Sequence, residues 1–315
     1  MPPVQTVDVA IIGGSFAGLS AALQLGRASR TAVVIDAGQP RNAVSRAAYG
    51  VPGWDGTPPA VILDRIRADA LAYPTITLRH ARAETLRTAP DGSFVVAIAD
   101  GSDVNAARVI LAYGMLDHLP TVPGLAEGWG SYVLHCPYCH GYEVKGQPLA
   151  VLARNAMALN MARLLRAGWS DDVTLCLQDA VDIDADHLAE ARQHGIRIER
   201  RRITTVRADG TGGLLSFNQG AEMHVAAVFV ASDTSFASPI GTDLGCQTAP
   251  GFTGPYLRVG PQGQTTIPGV FAAGDITRPA AIVTAALADG VLAGISAHQS
   301  LIWPERFPPL EQVFS

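Results

Sequence analysis

The stretch "TVDVAIIGGSFAGLSAALQLGRASRTAVVIDAG", Thr6 to Gly38, decides the fold. Val7 to Ile12 is an apolar, β-branched run, the pattern of a buried strand. Helix signals begin at Ser15 and run to about Arg27, and "TAVVID" reads as the next strand. Strand, glycine turn, helix and strand in that order form the βαβ context that a dinucleotide fingerprint requires. Gly13 makes the tight turn, and Gly18 lets the helix pack close to the strand. Gly14 and Ala17 complete the candidate cofactor-binding segment. Ser15 stands at the second fingerprint position, where a small side chain narrows a phosphate's approach without closing it. Asp36 ends the second strand and is placed to hold a ribose hydroxyl pair. The pattern alone does not choose between NAD and FAD.

The chain has 315 residues, enough for two ordinary domains. It is 48% hydrophobic and 16% charged, so a core is easily filled. The net charge is −5, with no long Lys/Arg run, which argues against nucleic acid or an anionic membrane as partner. No uninterrupted apolar run is long enough to span a bilayer. "MPPVQTVDVAIIGG" has no basic n-region, and its apolar run leads into the glycine turn rather than a cleavage site. The expectation is a cytoplasmic protein, where a CxxC is more often catalytic or metal-binding than structural.

Near the other end, "TIPGVFAAGDITRPAAIVTAALADGVLAGISAHQ" reads as a short strand ending in Gly274-Asp275 and then a long Ala-rich helix. It resembles the second FAD-binding motif of two-dinucleotide-fold flavoproteins. The resemblance implies that Asp275 bonds the ribityl chain and that the helix N-terminus points at the flavin pyrimidine. A helix N-terminus carries about half a positive charge, which suits the negative charge of a reduced flavin. "ARVILAYG", Ala107 to Gly114, resembles the strand and turn by which that family leaves its FAD domain, with Tyr113 in place of Thr. The fold expected is α/β with two Rossmann-like domains, the FAD domain split into residues 1–116 and 242–315 around a middle domain of 117–241.

The middle domain repeats the plan. "PLAVLARNAMALNMARLLRAGWSDDVTLCLQ" again reads strand, turn, helix, strand. Where a flavin-disulfide reductase carries GxGxxA for NADPH, this chain has Ala153, Asn155 and Ala158, with Arg154 in the turn. "CLQDA" lacks the basic pair that would grip a 2′-phosphate. A side chain at the second glycine position blocks backbone approach to a pyrophosphate. The favoured reading is a scaffold that has lost its nucleotide; the alternative is anion binding rescued by Arg154.

"LHCPYCHGYEV", Leu134 to Val144, holds two of the four cysteines. Cys136-Pro137-Tyr138-Cys139-His140 matches a c-type haem attachment pattern, half a zinc site, or a dithiol/disulfide pair. Haem needs export and conflicts with two FAD motifs. Zinc needs two more ligands, and Cys176, Cys246, His135 and His140 are poorly spaced to supply them, so no metal is expected. Cys176 lies inside an apolar strand and reads as core. The redox reading fits, because CxxC lowers one thiol pKa and only the thiolate attacks.

Over nearly its full length the chain resembles the low-molecular-weight thioredoxin reductase family. The resemblance rests on "GGSFAG", the middle-domain CxxC, "PGVFAAGD" and the split-domain order. "HCPYCHGYE", "GQPRN" at Gly38–Asn42 and the missing NADPH glycines look most like the dithiol oxidases that close disulfides in natural products such as gliotoxin and holomycin. The resemblance implies FAD held by Gly13, Gly14, Ser15, Ala17, Gly18, Asp36, Arg41, Asn42, Gly114, Gly274 and Asp275. It implies that Cys139 faces the flavin and Cys136 the substrate. Typical reductases have Asp after the second Cys, where this chain has His140. His140 is the natural acid/base partner, its ordinary pKa lying near neutrality; His135 is a second candidate, and Glu143 reads as structural. The function expected is a homodimeric FAD enzyme oxidising a small-molecule dithiol, with O2 as acceptor. Two rivals stand beside it: a reductase fed by NADPH or ferredoxin, and a non-catalytic flavin redox sensor. "AYGVPGWDG", Ala48 to Gly56, is a candidate wall of the substrate pocket.

Overall fold

The β-branched run at the start of the chain becomes the central strand of the first sheet, Gln5–Ile12, with Val9, Ala10 and Ile11 fully buried. A computed structural model describes residues 5–178, 182–210, 212–308 and 310. The chain divides into two compact units: Met1–Ala43, Pro59–Leu116 and Thr234–Ser315 form one, Val44–Pro58 and Asp117–Asp233 the other.

In the first unit, Gln5–Ile12 pairs in parallel with Ala32–Asp36 on one side and Asp103–Leu111 on the other. Ile76–His80 extends the parallel sheet beyond Ala32–Asp36. Val270–Ala272, from the far end of the chain, also joins Asp103–Leu111 in parallel, while Phe94–Ile98 and Ala83–Thr88 add antiparallel strands. The fingerprint helix Phe16–Arg27 packs on the long helix Val283–Ile302. Their approach depends on small residues: a Cβ on Gly290 would lie 2.1 Å from the carbonyl oxygen of Ala17. Gly13 has φ +106°, and a Cβ on Gly18 would lie 1.9 Å from the Gly13 carbonyl oxygen, so no side chain fits there.

The second unit has a parallel five-stranded sheet in the order Arg197–Glu199, Val173–Cys176, Leu149–Leu152, Ala227–Val230, Val133–Leu134. A three-stranded antiparallel sheet, Ile203–Asp209, Gly212–Phe217 and Met223–Val225, accompanies it. Helix Met157–Gly168 covers the parallel sheet through Ala158, Leu159, Ala162 and Leu165. Cys176 lies in this unit's core with no exposure.

Two boundaries differ from the sequence expectation. Residues 234–241 belong to the first unit, because Ile240 is buried in that unit's core and Phe236 packs on it, edge to face with Tyr113 at 6.3 Å. Residues 44–58 belong to the second unit although first-unit chain brackets them. Val51 in this segment is 2% exposed, and a Cβ on Gly130 would lie 2.5 Å from the Val44 carbonyl oxygen. The chain crosses from one unit to the other after Ala43, before Pro59, after Leu116 and before Thr234. Among the described residues no helix is long and apolar enough to cross a membrane.

Candidate active site

Two sets of residues carry chemistry, one in each unit. In the first unit, Ser15 is the N-cap of helix Phe16–Arg27 and makes no side-chain cap hydrogen bond, so its side chain leaves the first-turn N–H groups uncapped. The Gly14 N–H donates to Asp36 Oδ1 at 3.1 Å, and a Cβ on Gly14 would lie 2.8 Å from the Asp36 side chain. The glycine is what allows Asp36 to lie against the turn. Beside it opens a cavity of about 230 Å³ lined by Asp36, Ala37, Gly38, His80, Ala81 and Arg82. His80, Ala81 and Arg82 carry no local sequence signal for this place. They reach the cavity because Asp36 and His80 are register partners on neighbouring strands, a pairing that no local pattern encodes. A helix N-terminus without a side-chain cap, with an acid and a cavity at the next strand end, fits the pyrophosphate and adenosine portion of a dinucleotide.

The remaining expected cofactor residues fall in the same unit. Arg41 and Asn42 lie in a 3-10 turn, Arg41–Val44. Arg41 Nη1 donates to Asp275 Oδ2 at 3.0 Å, so two residues 234 positions apart share one ion pair. Gly274 has φ +81°, and Asp275 opens a 3-10 turn, Asp275–Thr277. The long helix starts at Val283, after an extended Arg278, rather than at the motif itself. The Gly114 carbonyl accepts from the Ala237 N–H at 3.0 Å. Tyr113, which replaces the family's Thr, is packed into the core, and burial raises its pKa far above the ordinary tyrosine value. Cys246 is also core, its thiol 3.6 Å from the Thr265 hydroxyl.

In the second unit, Cys136 and Cys139 are joined in a disulfide. Pro137–His140 is one helical turn, with Cys136 as N-cap and Pro137 at the position where a missing N–H is tolerated. Cys136 Sγ accepts from the Cys139 N–H at 3.1 Å. That donor stabilises negative charge on the Cys136 sulfur when the bond opens. His140 follows directly. Neither of its buried ring nitrogens has a hydrogen-bond partner among the described residues, and burial lowers its pKa. The Tyr49 ring meets the His140 ring edge-on at 5.9 Å. Part of the candidate wall, Ala48 to Gly56, is therefore in contact with the motif. Burial first, then Glu143 and Asp55, raises the Tyr49 pKa.

Residues beside the pair in the chain pack against aromatic rings. His135 lies 5.6 Å from Trp129, and Tyr138, 74% exposed, lies edge-on to Trp169 at 5.5 Å. A Cβ on Gly141 would lie 2.9 Å from the Trp169 ring, so this glycine lets the motif rest on the tryptophan. Trp169 follows helix Met157–Gly168, and nothing in its sequence spacing tied it to CxxC. Arg154, the candidate anion-binding cation, is ion-paired with Asp233 and donates to the Ala231 carbonyl at 3.3 Å. Of the expected "CLQDA" segment, Asp179 and Ala180 lie outside the described residues. Among the described residues no three His, Cys, Asp or Glu side chains converge as a metal site would need.

Residues 7–290 match the family model described as pyridine nucleotide-disulphide oxidoreductase. The chain belongs to that family. Members of the thioredoxin reductase-like group within it bind FAD, and the protein is an oxidoreductase of that fold. It is 33% identical over 313 residues to the thioredoxin reductase tcpT of Claviceps purpurea, covering 94% of each chain. An oxidoreductase from Agrobacterium tumefaciens superposes with TM-score 0.89 at 38% identity, over 95% of this chain and 100% of that one. HlmI superposes with TM-score 0.88 at 32% identity, over 94% and 93%. Family, disulfide and cofactor together make this thioredoxin reductase-like protein a FAD-dependent thiol–disulfide oxidoreductase.

Proposed function

We propose that the protein is a dithiol oxidase: it closes a disulfide in a small natural-product dithiol and passes the electrons to O2, giving H2O2. The observation that carries this reading is the pairing of an intact Cys136–Cys139 disulfide with a second nucleotide fold that has Ala153 and Asn155 in place of its two glycines. Such a chain keeps the half-reaction a dithiol can feed and lacks the usual turn for a hydride donor. Arg154 does not rescue that turn in this reading, since Asp233 already holds it.

A substrate thiolate attacks Cys136 Sγ, forming a mixed disulfide and expelling the Cys139 thiolate. The second substrate thiol, deprotonated by His140, attacks the substrate sulfur of the mixed disulfide. The product disulfide leaves, and Cys136 departs as a thiolate stabilised by the Cys139 N–H. His140, half-buried and with its pKa lowered by that burial, is in the right state to accept a proton near neutral pH. His135, held against Trp129, is the second proton-handling candidate. Bound FAD supplies the two-electron acceptor through which the pair is returned to its disulfide. The residues that would hold it are Gly13, Gly14, Ser15, Ala17, Gly18, Asp36, Arg41, Asn42, Gly114, Gly274 and Asp275. We also read the chain as a homodimer, for which the exposed Leu292, Ile295 and Ile302 on one face of the long helix are a suitable surface.

The thioredoxin reductase name of the tcpT relative favours a second reading, a disulfide reductase drawing on NADPH atypically or on a ferredoxin. Anaerobic mixing separates the two. A small dithiol is expected to bleach the flavin, NADPH to leave it oxidised, and air to restore the colour with peroxide formed. Fast bleaching by NADPH would replace the oxidase reading with the reductase. Dithiol bleaching that air does not reverse would point to another acceptor.

A further inference from the structure

The chain contains the strand–turn–helix–strand plan twice, and the two copies treat the start of their helix in opposite ways. The first N–H groups of a helix lack partners within it and readily take an anion. In the first copy the N-cap Ser15 offers them no side-chain acceptor. In the second copy, each N–H at the start of helix Met157–Gly168 has an acceptor. The Ala156 N–H donates to Asp182 Oδ2 at 2.9 Å, and the Met157 N–H to Asn155 Oδ1 at 3.0 Å. The Ala158 N–H donates to the Asn155 carbonyl at 3.1 Å, and the Leu159 N–H to the Ala156 carbonyl at 3.0 Å. Arg154, the cation at this turn, is directed to Asp233 and the Ala231 carbonyl instead.

We infer that Asp182 is a built-in anion at the place where a dinucleotide's pyrophosphate would bind, and that Asp182 and Asn155 together exclude nicotinamide nucleotides from the second fold. A pyrophosphate arriving here meets donors already used and a carboxylate of its own charge sign. Missing glycines narrow the turn, but Asp182 closes it even to an anion that fits. Restoring Gly at position 155 alone therefore does not reopen the site. The inference deepens the oxidase reading, yet its test measures binding rather than turnover.

The test uses the flavin-loaded protein as wild type, Asp182→Ala, the double variant Asn155→Gly/Asp182→Ala, and Asp186→Ala. Asp186, in the first turn of the following helix Ala185–Gln193, is a control carboxylate. NADPH is titrated by calorimetry, with inorganic pyrophosphate as competitor. Wild type and Asp186→Ala are expected to show no saturable NADPH binding at millimolar concentration, and the double variant to bind at least tenfold more tightly, with pyrophosphate competing. Should the double variant not fold, melting decides. Asp182→Ala is expected to lose about 2–4 °C with its cap and to regain it in millimolar pyrophosphate, which leaves wild type unmoved. Saturable submillimolar NADPH binding to wild type, or pyrophosphate stabilising Asp182→Ala no more than wild type, would overturn the inference. A wild type that ignores NADPH and is not reduced by a dithiol removes the oxidase reading and leaves this inference intact.

Discussion

Replacing His140 with Leu should slow dithiol turnover without destabilising the protein, and the size of both effects follows from the contacts of its ring. Leaving a buried polar group without a partner costs about 1–3 kcal/mol, and neither ring nitrogen of His140 has one among the described residues. The edge-on contact with Tyr49 offsets about 0.5–1.5 kcal/mol of that cost. Leu removes both terms, so stability is expected to stay within about 0.5 kcal/mol of wild type or rise by up to about 2.5 kcal/mol, a Tm nearly unchanged or higher by a few degrees. Turnover, deprived of an acid/base group, is expected to fall on the order of 10²-fold, equivalent to about 2.7 kcal/mol of activation free energy. The pH dependence gives an independent signature. Burial holds the folded pKa of His140 below its unfolded value of about 6.5. Its neutral form is therefore fully compatible with folding above about pH 6.5, and stability is lost as pH falls through the folded pKa. Acidification should widen the Tm advantage of His140→Leu over wild type. The acid limb of the reductive half-reaction should disappear in the variant. Calorimetric melting from pH 5 to 8 and stopped-flow flavin bleaching measure the two. A variant that loses several degrees of Tm while keeping its rate within about threefold would refute the argument and make His140 a structural residue.

Roles within the disulfide are separable: in Cys136→Ser the remaining Cys139 thiolate is expected to give a long-wavelength charge-transfer band with the flavin, and Cys139→Ser to lack it. The reverse pattern would exchange the two sulfurs' roles. Gly18→Ala places a methyl 1.9 Å from the Gly13 carbonyl oxygen, an overlap that forces the helix off its strand. The wild type is expected to purify yellow with one FAD per chain and Gly18→Ala with little or none; full flavin content and an unchanged Tm in the variant would show that the turn tolerates the shift.

Features that depend on near neighbours in the chain are legible from the amino-acid order. The fingerprint turn, the replacement of the second fold's glycines and the CxxC spacing are all local, because turn sterics and hydrogen-bond closure operate over a few residues. Gly13, Gly18, Ala153, Asn155, Cys136 and Cys139 could be read in that way. Tertiary structure alone decided which distant residues met them. Residues 44–58 leave the unit that brackets them in the sequence, and this brings Tyr49 to His140. Trp169 lies under the motif because Gly141 has no side chain. Arg41 reaches Asp275 only once Val270–Ala272 has joined the first sheet beside Asp103–Leu111. Asp182 caps a helix that begins 25 residues before it, and Arg154 turns to the chain's own Asp233 rather than to a bound anion. Such partners have no signature in spacing or periodicity, since the geometry that joins them exists only after two sheets have closed around their cores.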